Sequence, residues 1–396
     1  MTSLDDLRVI DAATLFAGPS AAMMLGDFGA DVIKIEHPRR GDPSRGHGAS
    51  VDGVGLWWKT LSRNKRTAAV DLSRPEGQEI LRRLAERSDV LIENFRPGTL
   101  ERWNLSPDDL LELNPRLIVA RMTGFGQFGP MSGRPGFGTL AEAMSGFAAM
   151  TGQPDGPPTL PPLALADGIA GLAMSYAIMV ALHARERTGR GQVIDMAIIE
   201  PILGLLGPQM SAYKALGAVP QRTGNRSSSN APPQHLPHPR RTLARHLHQR
   251  PAHRRAGRHP RRPARPGRAA VVRQRARPGA ARGRAGRGRR LLDRRTRRRR
   301  GHRRLRAGAG RRRAHLRRHR PRRGPPQYAA LGTFVEVPDE ELGSLTMQNV
   351  LFRLSDTPGG IRWPGRPLGR DTDEVLGEID YPEERIARLR EEGVIA

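Results

Sequence analysis

The chain has 396 residues, a formal net charge of +28 and no cysteine. This length allows one large domain or two ordinary ones, and an apolar content of 37% is enough for a hydrophobic core. Without Cys, disulfides, thiolate metal ligands and thiol catalysis are excluded, and we expect no metal site.

The N-terminus lacks a basic patch followed by an apolar run, so we expect no signal peptide. The longest apolar stretch covers residues 168–182, which is shorter than the roughly 20 residues of a bilayer span. We therefore expect a soluble, cytoplasmic protein with no membrane partner.

Strand-like and helix-like stretches alternate over the first 200 residues. Pro19 opens a helix, as Pro does in a first turn, and another helix follows Ser106. The pattern predicts strands at 8–12, 31–35, 67–72, 90–93 and 117–122, and helices at 19–28 and 75–87. Such alternation is typical of an α/β fold with a doubly wound parallel sheet.

A long apolar helix is predicted after Asp167, over residues 168–185, followed by a strand at 192–197. We interpret residues 201–232 as a linker. Composition is ordinary again over residues 327–396, with a strand at 333–337 and a charged helix at 382–392.

The stretch between residues 235 and 325 is abnormal. It holds 36 Arg, one Asp and no Lys or Glu, so its charge is +35, and subtracting this from +28 leaves −7 for the rest. It also lacks Ile, Phe, Tyr, Trp and Met. Such a composition cannot bury enough apolar surface to offset a backbone ordering cost of about 1 to 2 kcal/mol per residue, so we expect disorder.

Two explanations compete for this stretch. One is a genuine Arg-rich arm that binds nucleic acid, as basic runs do. The other, which we favour, is a shifted reading frame that begins near Pro233 and is undone just before Gln327, because every residue type present has a GC-rich codon. A one-base shift with permitted codons turns residues 233–256 into an ordinary turn, strand and helix start.

A glycine pattern at residues 124–129, GFGQFG, matches the dinucleotide fingerprint G-x-G-x-x-G. The fingerprint requires a helix directly after it, so that a pyrophosphate meets the helix N-terminus. Here Pro-Met-Ser-Gly-Arg-Pro-Gly follows instead. We therefore interpret residues 124–136 as a loop over a site and expect no NAD.

Asp167 lies in LALADGIAG, at the predicted N-cap of the long helix. It could simply cap, a role worth about 1 kcal/mol. It could also be a nucleophile, because N–H groups at a helix start favour an ionised carboxylate. Residue spacing alone leaves both open.

Several separated motifs together resemble the class III CoA-transferase family, which includes formyl-CoA and carnitine CoA-transferases and alpha-methylacyl-CoA racemase. The resemblance covers residues 1–232 and returns at residues 327–376, so it implies one large domain built from 1–200 and 327–396, with a small domain over 233–326. The motifs are FAGP (16–19), GADVIKIE (29–36), GDPSR (41–45), NKR (64–66), DLSRPEG (71–77), ENFRPG (93–98), TGFGQFGP (123–130), LADGIAG (165–171), TGRGQ (188–192), GNR (224–226) and PLGRDTDEVL (367–376).

The resemblance implies that Asp167 attacks an acyl-CoA to give an aspartyl anhydride, then an aspartyl-CoA thioester from which an acceptor carboxylate takes the CoA. CoA would be a substrate, with no permanently bound cofactor. The implied CoA contacts lie near a basic turn that includes His37 and Arg40, and guanidinium groups suit phosphates. These contacts are Arg39, Leu72, Arg74, Asn94, Phe95, Arg96 and Arg102.

Two further expectations follow from the resemblance. Family racemases carry a His beside the loop, whereas residues 135–139 here have none, so we favour transferase over racemase. Glu142 nearby is interpreted as a plain helix residue rather than a polar lining residue. The family's small domain closes over the site and its subunits interlock, so we expect an interlocked homodimer once the reading frame is correct, and a poorly folded or inactive chain as written.

The competing class is an Arg-rich nucleic-acid-binding protein. It is supported by the total charge but by nothing outside residues 235–325, so we disfavour a nucleic-acid partner.

Overall fold

We analysed a computed structural model, which describes residues 2–225 and 325–396. The expectations of disorder, of a shifted frame and of a nucleic-acid arm at 235–325, and of a small domain at 233–326, lie almost entirely outside the described residues. Arg226 of the GNR motif lies outside them too.

The fold alternates strands and helices in chain order over its first 200 residues. The strands are β1 (Arg8–Asp11), β2 (Asp31–Glu36), β3 (Ser50–Val51), β4 (Val54–Gly55), β5 (Lys65–Ala69), β6 (Val90–Glu93), β7 (Ile118–Thr123), β8 (Val193–Ala197), β9 (Phe334–Asp339) and β10 (Gly343–Gln348). The helices are α1 (Ala17–Gly26), α2 (Leu56–Leu61), α3 (Pro75–Glu86), α4 (Thr99–Arg102), α5 (Pro107–Leu113), α6 (Gly138–Met144), α7 (Phe147–Met150), α8 (Leu165–Thr188), α9 (Ile199–Leu205), α10 (Gln209–Leu216), α11 (Pro326–Leu331), α12 (Thr372–Gly377) and α13 (Glu383–Glu391). A short 3-10 helix covers Pro43–Gly46.

The main sheet is six-stranded and wholly parallel, in the order β5-β2-β1-β6-β7-β8. Strand order runs outward from β1 in one direction through β2 and β5, and in the other through β6, β7 and β8. The chain therefore reverses its progress between β1 and β6, and ligands of open α/β sheets bind at such a switch point, outside the carboxyl ends of the strands. We call that edge of the sheet the carboxyl edge.

Successive residues of a strand point to opposite faces of this sheet, and helices cover both faces. Ile10 of β1 packs into one core with α3, α5, α12 and α13, while its neighbour Val9 packs into a second core with α1 and α8. The expected doubly wound α/β arrangement is thus present in the described residues. Strand β6, VLIE, is largely apolar because both faces of the sheet are buried.

The C-terminal segment packs against the N-terminal strands. Ile395 forms a β-bridge with Val70, and the carboxylate of Asp371 accepts from the backbone N–H of Thr67 at 2.8 Å. Both ends of the chain therefore build the same domain.

Observed elements differ from the predicted ones in two places. The predicted linker at 201–232 contains the end of α9 and all of α10, helices that short apolar stretches did not distinguish from loop. The long helix was predicted too short: α8 begins at Leu165 rather than Gly168 and continues to Thr188, where Gly189 ends it at φ 71°. Glycine adopts this left-handed conformation without strain.

With 24 residues and a mean hydropathy of 1.7, α8 is long and apolar enough to span a membrane, so the argument from a short apolar stretch was wrong. In this fold, however, it lies in a packed layer. Met174 and Ile178 are fully buried in the core that α8 shares with α1, and Arg185 pairs with Asp89 at 2.8 Å. By length and composition alone, the core helix of a soluble protein passes the same test.

Candidate active site

The carboxyl edge brings together the loops that follow β1, β2, β5, β6 and β7. The connection from β7 to β8 passes through α8, and in such a parallel crossover the helix runs against the strands. The N-terminal turn of α8, which carries Asp167, therefore lies at the same edge as those loops.

A cleft of about 390 Å³ opens there, next to the switch point. Its walls come from the residues that follow β1, β2, β5 and β6, so apolar side chains meet a basic turn. The lining residues are Ala12, Thr14, Ile35, Glu36, His37, Arg40, Gly41, Asp42, Pro43, Val70, Asp71, Leu72, Ser73, Phe95 and Trp103.

Two of the predicted CoA contacts, Leu72 and Phe95, line this cleft, as do His37 and Arg40 of the basic turn. The ring of Phe95 meets the indole of Trp103 edge-on, with centroids 5.1 Å apart. Aromatic rings and cationic side chains therefore share one cleft.

Asn94 does not line the cleft but hydrogen-bonds to Thr14, which does. Its side chain accepts from the backbone N–H of Thr14 and donates to the Thr14 carbonyl, both at 2.8 Å. It thus joins the loop after β6 to the loop after β1, across the switch point.

The other predicted contacts are not among the lining residues. Arg39 and Arg96 are exposed, Arg74 donates to the carbonyl of Glu392 at 2.7 Å, and Arg102 donates to the hydroxyl of Thr99 at 2.9 Å. The structure therefore places the apolar candidates in the cleft and the arginine candidates outside its lining, and their role in CoA binding stays a prediction.

Asp167 is the third residue of α8 and not its N-cap, which is Ala164. Among the described residues, no group donates a hydrogen bond to its side chain. The predicted capping role was wrong because the helix begins three residues earlier than the apolar pattern indicated. This leaves the carboxylate half-buried at the carboxyl edge.

Burial raises the pKa of the Asp167 carboxyl to about 6, and the nearby Glu142 carboxylate contributes to the increase. This differs from the expectation that the helix start would hold the group fully charged. A carboxyl with a pKa near 6 is still about nine-tenths ionised at pH 7.

Glu142 is not the plain helix residue of the sequence interpretation. Its side chain is 1% exposed, and Oε1 accepts from the backbone N–H of Ala166 at 3.1 Å. Among the described residues, its Oε2 has no hydrogen-bond partner. The residue thus links α6 to the first turn of α8 and places a second carboxyl beside Asp167.

Glycines allow two close approaches near this carboxylate, one within the loop at 124–136 and one at the start of α6. A Cβ at Gly124 would lie 2.4 Å from Cα of Gly136, so the two backbones touch where the loop closes. A Cβ at Gly138 would lie 2.2 Å from Oδ2 of Asp167. Residues 124–136 form a loop without helix or strand, as expected, and its position over a site stays a prediction. Gly138, just after this loop, lets α6 approach Asp167 closely.

Sequence reasoning missed Glu142 as a neighbour of Asp167, and Trp103 and Asp42 as cleft residues. Glu142 is 24 positions from the helix turn that it contacts, so only the packing of α6 on α8 reveals it. The GDPSR motif marked Asp42 as a candidate, but the sequence did not show that Asp42 contacts Lys34 and Leu15.

The half-buried Asp167 carboxylate, which no described residue hydrogen-bonds, and the cleft with aromatic and cationic walls lie at the same edge of the sheet. Carboxylates of this kind can form covalent intermediates. Comparisons with known proteins are more specific. Residues 4–372 match the family CoA-transferase family III. The chain belongs to this family, whose activity is the transfer of CoA between an acyl-CoA and an acid.

Named relatives extend the comparison. The chain is 36% identical over 410 residues to a succinyl-CoA–D-citramalate CoA-transferase from Chloroflexus aurantiacus, a match that covers 99% of this chain and 98% of that protein. It is 46% identical over 232 residues to the beta subunit of a succinyl-CoA–L-malate CoA-transferase from the same organism, covering 58% of this chain and 57% of that one.

A solved structure agrees with the fold. A CAIB/BAIF family protein from Brucella suis is 40% identical, with a TM-score of 0.56, over 60% of this chain and 64% of that chain. The chain therefore overlays slightly less than two thirds of that structure.

Proposed function

We propose that this protein transfers CoA from an acyl-CoA to a carboxylic acid through covalent intermediates on Asp167. The observation that carries the proposal is the half-buried Asp167 carboxylate, whose pKa is raised to about 6 at the carboxyl edge. Such a group is more basic, and hence more nucleophilic, than an exposed carboxylate, while most of it remains ionised at neutral pH.

In the first step, a carboxylate oxygen of Asp167 bonds to the thioester carbonyl carbon while the C–S bond breaks, giving a mixed anhydride and CoA thiolate. The thiolate then attacks the Asp167 carbonyl and releases the donor acid, leaving an aspartyl-CoA thioester. The acceptor carboxylate repeats this sequence in reverse, and acyl-CoA product leaves with Asp167 regenerated. Each step exchanges one acyl bond for another, so no outside reductant or proton donor is needed.

The cleft is proposed as the CoA site. Leu72 and Phe95 would hold the adenine between apolar surfaces, and His37 and Arg40 would face the phosphates. The predicted contacts Arg39, Arg74, Arg96 and Arg102 remain candidates at its rim. We propose no permanently bound cofactor.

Small dicarboxylic acids are the proposed substrates, with succinyl-CoA as the donor. Relatives carry names such as succinyl-CoA–D-citramalate and succinate–glutarate CoA-transferase, the latter from Agrobacterium fabrum at 40% identity over 59% of this chain. Acetyl-CoA:oxalate CoA-transferase of Acetobacter aceti is another relative, at 39% identity. We propose a cytoplasmic location for this chemistry.

A homodimer is the proposed assembly. Leu172, Tyr176 and Val180 follow one another at helical spacing on α8, and their exposed fractions are 50%, 73% and 49%. Side chains four apart share a helix face, so these form one apolar stripe beside the buried one. Sedimentation of the protein with Tyr176→Lys should give a monomer if a second copy covers this stripe, and an unchanged dimer would exclude it as the interface.

Trapping distinguishes covalent catalysis by Asp167 from simple binding. The protein is incubated with succinyl-CoA and hydroxylamine, which converts an aspartyl thioester into a hydroxamate that peptide mass spectrometry locates. We expect the hydroxamate at Asp167, and CoA exchange reduced by about 10³-fold or more in Asp167→Ala. The exposed Asp155, changed to Ala, is the matched control. A folded Asp167→Ala protein with ordinary exchange would refute the proposal.

The reading frame determines which chain is assayed. We propose that the segment at 233–326 is out of frame, that the chain as written is inactive, and that a frame-restored chain forms an interlocked dimer. Sequencing the gene across this segment tests the first point, and an intact frame would refute it. Deleting residues 235–325 separates the competing class, because RNA binding that disappears with the segment would support a nucleic-acid arm.

A further inference from the structure

The turn between β1 and α1, residues 13–16, is held in a strained conformation beside the cleft. Leu15 has φ 65°, a left-handed value that costs a non-glycine residue of its type about 1 kcal/mol or more. Such a conformation persists only where surrounding groups hold it.

Buried side chains take up the backbone groups of this turn. Lys34 donates to the carbonyl of Ala13, Asn94 binds both backbone groups of Thr14, and the carboxylate of Asp42 accepts from the N–H of Leu15 at 3.2 Å. Asp42 belongs to the GDPSR motif, so the structure gives that motif a local role.

Lys34 and Asp42 form an ion pair with 3.0 Å between Nζ and Oδ2, and their side chains are 0% and 1% exposed. Burial disfavours charge on both groups. Even so, the carboxylates around Lys34 hold its pKa above its ordinary value, and Lys34 holds the pKa of Asp42 below its own. Both groups are therefore charged at neutral pH, and removal of either leaves the other buried without its closest counter-charge.

A continuous path of contacts leads from this turn to the nucleophile. A Cβ at Gly18 would lie 2.4 Å from Cβ of Ala13, so the start of α1 rests directly on the turn. A Cβ at Gly171 would lie 2.8 Å from Cβ of Ser20, so α8 rests on the same part of α1. Gly171 is four residues after Asp167, which puts the two on the same helix face, one turn apart.

We infer that Lys34 and Asp42 are positioning residues, which set the distance between the CoA cleft and Asp167 by fixing the turn at 13–16. The inference rests on the proposed function, in which a thioester bound in the cleft must reach the Asp167 carboxylate. Asp42 is part of the cleft wall, but its side chain is only 1% exposed, so the ion pair acts through α1 without itself joining the reaction.

A second buried ion pair provides the matched control. The Asp27 carboxylate accepts from Nε and Nη2 of Arg63, at 2.9 and 2.6 Å. The side chains of Asp27 and Arg63 are 2% and 3% exposed. Asp27 is the C-cap of α1, so this pair lies at the opposite end of the helix from the turn. Its loss should lower stability comparably without moving the cleft side of α1.

Hydrogen exchange of the full chain, read by peptide mass spectrometry, tests the coupling whether or not the chain is active. We expect Asp42→Asn to speed exchange about tenfold both at residues 12–17 and at 164–171. Asp27→Asn should speed exchange at residues 26–29 and leave 164–171 unchanged. Unchanged exchange at 164–171 in Asp42→Asn and in the harsher Asp42→Ala, or equal acceleration in the control, would overturn the inference.

Kinetics give the second measurement in a chain that exchanges CoA. Asp42→Asn should lower kcat about tenfold or more, while the KM for acyl-CoA stays within about threefold, because the Asp42 side chain, 1% exposed, offers little surface to a ligand in the cleft. A change in KM alone would overturn the inference. Failure of the wild-type protein to exchange CoA would instead refute the proposed function, and the two failures are therefore distinguishable.

Discussion

Replacement of Gly138 by Ala tests the position of the nucleophile with one added methyl group. A Cβ at this residue would lie 2.2 Å from Oδ2 of Asp167 and 2.8 Å from its Cγ, whereas ordinary contact begins at 3.4 Å. The carboxylate must therefore retreat by about 1.2 Å, since close-packed groups do not overlap. A displacement of about 1 Å from the reactive geometry costs about 10²-fold in rate, and we expect kcat to fall by that factor.

Fold stability should not fall with it. Gly138 is the first residue of α6, with no positive φ, so the backbone accepts Ala, and the reduced freedom of the unfolded chain, worth up to about 1 kcal/mol, offsets the cost of displacing the carboxylate. Gly168→Ala is the matched control, because a Cβ there meets no atom within 4 Å although it neighbours Asp167. CoA exchange and thermal unfolding are measured together. Wild-type kcat in Gly138→Ala, or an equal loss in Gly168→Ala, would refute the reasoning.

Three further predictions concern the site. Because the folded pKa of Asp167, about 6, exceeds its ordinary 3.8, ionisation is penalised only in the folded state. Relative to the wild-type protein, Asp167→Asn should therefore gain up to about 2 to 3 kcal/mol of stability as pH rises from about 4 to 6, and keep that gain above pH 6. Urea unfolding of both proteins at pH 4 and pH 8 measures this difference, and the same difference at both pH values would contradict the prediction. Glu142→Gln, which keeps an acceptor for Ala166, should move the acid limb of kcat/KM to lower pH, and an unmoved profile would exclude a carboxylate effect. Phe95→Ala should raise the calorimetric Kd for CoA about tenfold while Arg102→Ala changes it less than about twofold, and the opposite order would place CoA elsewhere.

Much of the fold was predictable because the sheet is buried on both faces. Apolar runs such as residues 90–93 had no helical period, and Pro75 and Ser106 marked helix starts that the structure reproduces. The start of the helix that carries Asp167 was harder to predict from the sequence. The apolar pattern placed the start of the long helix at residue 168, whereas the helix begins at Leu165, where Glu142 accepts from the N–H of Ala166.

The candidate site was predictable only in part, for a related reason. Leu72 and Phe95 lie at strand ends on the carboxyl edge, so topology places them in one cleft. Arg74 and Arg102 also follow strands, but each donates to a nearby backbone or hydroxyl oxygen instead of facing the cleft. Strand order determines which loops meet, and it does not determine which way a long, flexible side chain within a loop will point.

The position of Asp167 explains how a helix start can hold a basic carboxylate. An aspartate in a first helical turn ordinarily gains from the free backbone N–H groups, which lower its pKa. Here Glu142 accepts from the N–H of Ala166, and no described residue donates a hydrogen bond to Asp167. The competing carboxylate thus removes a donor and adds negative charge, while the close approach of Gly138 contributes to burial. All three effects raise the free energy of the ionised Asp167 carboxylate. When this carboxylate bonds to an acyl carbon it loses its negative charge, so the unfavourable free energy is released.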